Sequence, residues 1–252
     1  MDLDTRRNAL VDLINSEGNI SFANIHRHFP NVSEMTLRTD LKALDLERRI
    51  VRVHGGARSV DYVVGIDGLQ DSKKTRNTEA KQLIAQKAAT LIRPNSTVFF
   101  DSGTTTEELI AHMPDAHIQA FTCNVQNIVA LAAKKKVQTF VIGGRLSPFT
   151  MCFNGSQTLK QLEQLSFDQS FVGVSAYQSN VGFTCGSDEE AAIKRCCVEN
   201  AGQVIALFDS SKIDRRSTFH VCSLQDVDVV VSDGNLPKEF LDECRHADVE
   251  VL

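Results

Sequence analysis

From residue 97 onward this chain repeats one feature: short apolar runs about as long as a buried strand. They are TVFF (97–100), QAFT (119–122), QTFVI (138–142), QSFVGV (169–174), QVIALF (203–208) and VDVVV (227–231). Helical patterns separate most of them, at 105–113, 125–135, 156–165 and 187–201, and EAKQLIAQKAATLI (79–92) precedes the first. Near-continuous apolar strands are buried on both faces, and their alternation with helices predicts a mostly parallel sheet covered by helices. An α/β fold is therefore expected for the larger part of the chain. Of 252 residues, 42% are hydrophobic and 23% charged, the balance of a globular protein with a core of its own.

The first sixty residues follow another pattern. Leu10, Val11, Leu13 and Ile14 form the stripe of a first helix, which SEGN (16–19) ends. Ser21 is placed to cap a short second helix carrying Phe22, Ile25 and Phe29, and Pro30-Asn31 breaks it. Ser33 then caps a third, SEMTLRTDLKALDLE, with Leu37, Leu41 and Leu44 inward and Glu34, Thr36, Arg38, Thr39 and Lys42 outward. Two short helices, a tight turn and a helix with hydroxyl and basic residues near its start give the helix-turn-helix pattern, whose last helix reads the major groove. RIVRVHGGARSV (49–60) alternates around Gly55-Gly56 as a hairpin wing, with arginines to meet phosphates. A three-helix packing module with a solvated basic face fits the same periodicity.

Charge sharpens the division. The net charge is -5, yet within 38–58 Arg38, Lys42, Arg48, Arg49, Arg52 and Arg58 face only Asp40, Asp45 and Glu47. That is a local basic patch on an acidic chain. Residues 59–76 mix glycine, charge and polar residues without a period and read as a linker, giving expected domains of 1–58 and 77–252. The seven cysteines are odd in number and lack CxxC spacing, so they read as reduced core thiols of a cytoplasmic protein without a metal site. No apolar leader or membrane-length run is evident in the sequence.

The first strand-like run leads into FFDSGTTTEEL (99–109). In open parallel sheets ligands sit beyond the carboxyl ends of the strands, where Asp101 to Thr106 fall. Gly103 permits a left-handed backbone and close approach of N–H groups to an oxyanion; a helix opening after it adds unpaired donors and a positive dipole end. Ser102, Thr104, Thr105 and Thr106 add neutral hydroxyl donors. No Gly-Lys-[Ser/Thr] follows, so this is not a Walker loop. An ordinary strand-to-helix turn with a threonine cap would carry the same residues.

VSEMTLRTDL followed by VRVHGGA resembles the DNA-binding signature of the DeoR family of bacterial repressors, through Ser33, Thr36, Arg38, Asp40, Leu41, Arg52, His54, Gly55, Gly56 and Ala57. Thr39 stands where that family has a second arginine, and Arg48-Arg49 where a glycine usually ends the recognition helix. The DSGTTT run, TCN (122–124), IGGRL (142–146), GFT (182–184), EEAAIKR (189–195) and LFDSSKI (207–213) follow in the family's order. The resemblance implies a winged helix-turn-helix touching operator double-stranded DNA through Ser33, Thr36, Arg38, Thr39, Lys42, Arg52 and His54. It also implies an effector domain similar to ribose-5-phosphate isomerase that binds a phosphorylated sugar. Asp101 would meet sugar hydroxyls, Ser102 to Thr106 the phosphate, and Asn124, Gly143 and Gly144 would line the pocket. Lys194 and Lys212 would approach the ligand, with Glu190 and Asp209 as acidic neighbours. A homo-dimer or homo-tetramer joined mainly after residue 76 is implied too, with no cofactor. The rival reading is an enzyme, a sugar-phosphate isomerase or CoA-transferase-like protein using Asp101, Glu190, Asp209 and Lys194 for proton transfer. An appended DNA-binding domain favours the regulator.

Overall fold

The computed structural model describes residues 2–17, 19–53, 55–60, 77–148 and 150–252. Contacts divide the chain into two units, 1–68 and 69–252. The linker assigned to 59–76 lies, from 61 on, outside the described residues.

In the first unit α1 (Leu3–Glu17), α2 (Phe22–His28) and α3 (Glu34–Leu46) surround Leu10, Ile14, Ile25, Leu37, Leu41 and Leu44, all buried. Both expected caps form: Ser21 accepts the Asn24 N–H and Ser33 the Thr36 N–H. The wing is a three-stranded antiparallel sheet in which β3 (Gly56–Arg58) lies between β1 (Asn19–Ser21) and β2 (Val51–Val53). β1 was not expected, because three residues after a helix are too short to show a period of two. It explains Gly56: a Cβ there would stand 2.2 Å from the Ile20 carbonyl oxygen. At the end of α3, Arg48 N–H bonds to the Asp45 carbonyl and Arg49 N–H to the Leu44 carbonyl, with Arg48 at φ +56°. This is the two-bond helix stop normally built on glycine.

The second unit is built on seven parallel strands: β4 (Thr97–Phe100), β5 (Ile118–Thr122), β6 (Val137–Val141), β9 (Gln169–Gly173), β12 (Val204–Leu207), β14 (Val229–Val231) and β15 (Glu250–Val251). Their order in the sheet is β15-β14-β12-β9-β4-β5-β6. The six expected strands are all present. Alternation along β4 sends Val98 and Phe100 to one face and Phe99 to the other. One face packs against α4 (Thr78–Ala89), α5 (Thr104–His112) and α6 (Val125–Ala132), the other against α7 (Ser156–Leu162) and α8 (Asp188–Glu199). Full burial of Phe99 and of Phe100 stabilises by about 1.5–3 kcal/mol each, which is why the strand must be central.

Besides β1, two small sheets, an edge strand and a last helix went unread in the sequence. The hairpin β7 (Arg145–Ser147)–β8 (Cys152–Asn154) and the antiparallel sheet β10 (Ala176–Gln178)–β11 (Gly182–Cys185)–β13 (Phe219–Cys222) are made of strands of three or four residues. The edge strand β15 and the helix α9 (Lys238–His246) lie beyond the last expected strand. No helix among the described residues is long and apolar enough to cross a membrane.

Candidate functional site

Strand order changes direction between β4 and β9: the chain adds strands on one side of β4, then crosses to add the rest on the other. Such a switch point opens a crevice at the carboxyl ends of the two strands. Here those ends are Asp101-Ser102-Gly103 and Gly173-Val174-Ser175. Gly103 adopts φ +133°, ψ 160°, a region essentially restricted to glycine, and a Cβ added there meets nothing within 4 Å. Its backbone therefore turns to open space. α5 begins at Thr104, and the first amides of a helix have no partner within it. Ser102, Thr104 and Thr105 are half-buried. Thr106 is fully buried, and its Oγ1 has no partner among the described residues. The floor is close: a Cβ on Gly173 would lie 3.4 Å from the Ser102 carbonyl oxygen and 3.7 Å from Thr106 Oγ1.

Behind this loop stands a buried ionic knot. Asp101 Oδ2 pairs with Lys194 from α8 and accepts the Gly173 N–H at 2.9 Å. Lys194 Nζ also donates to the Gly173 carbonyl at 2.8 Å and lies 3.2 Å from Glu190. Burial pushes the Asp101 carboxyl up while Lys194 opposes it. For Lys194, burial works against the charge, but Asp101 and Glu190 outweigh it and hold the ammonium above its ordinary range. The knot ties β4, β9 and α8 together where the crevice opens. Asn127, which the sequence reading missed, is part of the same support. From α6 its Nδ2 donates to the Asp101 carbonyl at 2.8 Å and to Thr122 Oγ1 at 3.2 Å. Its one sequence signal is an amide on the otherwise apolar helix VQNIVALA.

The other expected pocket residues divide. Asn124 is buried as the cap of α6, accepting the Asn127 N–H at 3.1 Å and donating to the Thr150 carbonyl at 3.2 Å. Gly143 is held by α7, its carbonyl accepting from Thr158 at 2.9 Å and from Gln161 at 3.1 Å. Gly144 presses on the same helix: a Cβ there would stand 2.1 Å from Thr158 Oγ1. Arg145, next in the chain, reaches Glu189 of α8 at 2.5 Å. Lys212 belongs to a second cluster beyond β12, beside the buried Asp209. Burial pushes the Asp209 carboxyl up, but Lys212, Ser211 and Asn77 outweigh it and hold it below its ordinary value.

In the first unit Arg38, Thr39 and Lys42 share the exposed face of α3, with Ser33 at its start and Thr36 half-buried. Ser33 Oγ and Thr36 Oγ1 lie 2.8 Å apart, so these hydroxyls serve the cap. Thr39 donates back to the Met35 carbonyl at 2.9 Å. The Arg38 guanidinium stacks 4.0 Å above the Phe22 ring, leaving its side chain 57% exposed. Arg52 is exposed on the wing, its N–H bonded to Asp45 Oδ1 at 2.9 Å. His54 falls outside the described residues. Asp40, on the inner face and 2% exposed, accepts from Arg6 Nε at 2.6 Å and Arg7 Nε at 3.2 Å. It fixes α3 to α1.

Comparison with known proteins agrees with this division. A DeoR-like helix-turn-helix domain matches residues 6–63, and a DeoR C-terminal sensor domain matches residues 76–234. Relatives include the HTH-type transcriptional regulator GlpR of Haloferax volcanii, 31% identical over 98% of this chain and 96% of the relative. The glycerol-3-phosphate regulon repressor of Escherichia coli K12 is 30% identical over 92% and 91%. The lactose phosphotransferase system repressor of Lactococcus lactis is 28% identical over 96% of each. Among solved structures, ribose 5-phosphate isomerase A of Methanocaldococcus jannaschii aligns at 14% identity and TM-score 0.41 over 54% of this chain and 55% of its own. The eIF2B delta subunit of Chaetomium thermophilum aligns at 17% and 0.47 over 63% and 57%. This chain thus spans about half the length of the solved structures it matches. With two family models in succession and relatives matched along nearly its whole length, the protein belongs to the DeoR family of transcriptional regulators.

Proposed function

We propose that this protein is a transcriptional repressor of a carbohydrate-utilisation operon, controlled by a phosphorylated sugar bound at residues 101–106. The observation that carries the reading is the Gly103 turn at the switch point. There a glycine-only backbone faces open space, the first amides of a helix without a side-chain cap lie beside it, and the buried Thr106 hydroxyl has no partner among the described residues. Hydrogen bonds to a charged acceptor contribute about 1.5–3 kcal/mol each, so a few such donors anchor a phosphate without a lysine. The named functions of the relatives support the operon side of the reading: two are repressors of glycerol-3-phosphate and lactose systems. Acid–base catalysis fits poorly, because Asp101 is tied to Lys194 and to the Gly173 N–H and Lys194 is held charged.

The test is calorimetry with candidate sugar phosphates and their free sugars, paired with mobility shift on the promoter beside the gene. The wild type should prefer the phosphorylated form at least tenfold, about 1.4 kcal/mol. Gly103→Ala and Gly103→Glu carry the same backbone strain, of order 1–3 kcal/mol, but only the glutamate adds a negative charge. Both should still bind operator, and Gly103→Glu should lose the ligand response more completely than Gly103→Ala. A wild type that prefers the free sugar, or a glutamate variant that responds normally, would make the loop a structural turn.

A further inference from the structure

All seven cysteines are free and buried, and four of them, Cys123, Cys152, Cys196 and Cys197, gather in one apolar cluster against the sheet. Two stand apart from ordinary packing. Cys123 Sγ and Cys152 Sγ are 3.0 Å apart, about one ångström beyond the length of a covalent S–S bond. They sit on adjacent antiparallel segments, offset by one residue: Cys152 stands opposite Asn124, the residue after Cys123. Phe153 N–H donates to the Cys123 carbonyl at 2.7 Å, and Val125 N–H to the Met151 carbonyl at 2.8 Å, around a bridge between Asn124 and Cys152. Two main-chain hydrogen bonds thus already hold together the segments that carry the two thiols. Cys196 and Cys197 are also neighbours, but consecutive residues of a helix do not face each other.

We propose that Cys123 and Cys152 form an oxidisable dithiol that reacts with hydroperoxides and staples the 145–154 hairpin to the carboxyl end of β5. Cys152 is 6% exposed and Cys123 fully buried, so the oxidant meets Cys152 first. The Cys152 sulfur attacks one peroxide oxygen, the O–O bond breaks, and water leaves to give a sulfenic acid. The Cys123 sulfur then attacks the Cys152 sulfur; the S–S bond forms and the hydroxyl leaves as a second water, taking the Cys123 proton. Two thiols lose two electrons, and one hydrogen peroxide takes them. The hydrogen bond to Cys152 and burial push the Cys123 thiol well up, in keeping with Cys152 being the sulfur oxidised first. The bond lies one residue from Asn124, the cap of α6.

The experiment treats the full chain with graded hydrogen peroxide and maps crosslinks by mass spectrometry of unreduced peptides. The expected result is loss of two of seven thiols and one intramolecular bond, joining the peptides that contain Cys123 and Cys152, undone by dithiothreitol. Cys123→Ser should leave a sulfenic acid at Cys152 that dimedone traps, and Cys152→Ser should give neither product. Hydrogen exchange at the Val125 and Phe153 amides should slow at least tenfold in the oxidised protein. Wild-type mapping stands even if a variant fails to fold. A first crosslink at any other pair, seven thiols surviving until the protein unfolds, or unchanged exchange at both amides in the crosslinked protein overturns the proposal.

Discussion

Lys194 shows how much one side chain can hold. With 3% of its side chain exposed it meets Asp101, Glu190 and the Gly173 carbonyl, so its loss leaves a carboxylate buried without its counter-charge. Breaking a buried pair from one side typically costs about 3–5 kcal/mol. Lys194→Met should therefore lower stability by about that amount in urea denaturation, and adding Asp101→Asn should recover part of it. Because the folded ammonium lies above the ordinary lysine value of 10.5, its contribution is complete below that pH. It is lost as pH rises through the folded value. The gap between wild type and Lys194→Met should be narrower at pH 11 than at pH 8; an equal gap counts against a charged Lys194. The sequence made Lys194 a candidate only through family resemblance, since no local pattern announces that a lysine on a helix will be buried. Asp101 was legible for a local reason, the strand running straight into Ser-Gly-Thr. Asn127 was not, because its role arises when the fold brings the start of α6 beside the end of β4.

At the scale of elements, the stop of α3 carries a cost the sequence hinted at. Arg48 occupies the left-handed position where glycine is usual, and a residue with a Cβ loses roughly 1–2 kcal/mol there. Glycine relieves that strain but loses more chain entropy on folding, about 0.4–1 kcal/mol. Arg48→Gly should raise the stability of the full chain by about 0.5–1 kcal/mol, read as a higher Tm. The helix-turn-helix and its wing make separable predictions. Arg38→Ala should abolish selective operator binding, with nonspecific binding retained, because the side chain projects from the outward face of α3. Arg52→Ala should weaken binding to every sequence and flatten the salt slope by about one unit. Mobility shifts on operator and scrambled DNA at several salt concentrations distinguish the two. The six main strands were readable because each is a short run dominated by apolar or β-branched residues. The β10–β11–β13 sheet was not, since GFTC and its partners are too short and mixed to show a period. α9 buries only Phe240 and Cys244, one turn apart, which leaves little signal among charges.

For the whole molecule, one recognition helix reads only a few base pairs, and operators with repeated half-sites are matched by symmetric assemblies. A dimer or tetramer joined mainly through the second unit is expected. Light scattering should show it at operator-binding concentrations, and a stable monomer there would remove the expectation. The clamp of Arg6 and Arg7 on Asp40 bears on something further. It anchors α3 from its inner side together with Leu37, Leu41 and Leu44, while Met35, Arg38, Thr39 and Lys42 stay outside. Apart from the Arg38 stack on Phe22, the face of the helix that keeps the unit folded is thus distinct from its exposed face. Randomising those four outward positions should therefore shift operator preference while the fold of the unit persists beneath them.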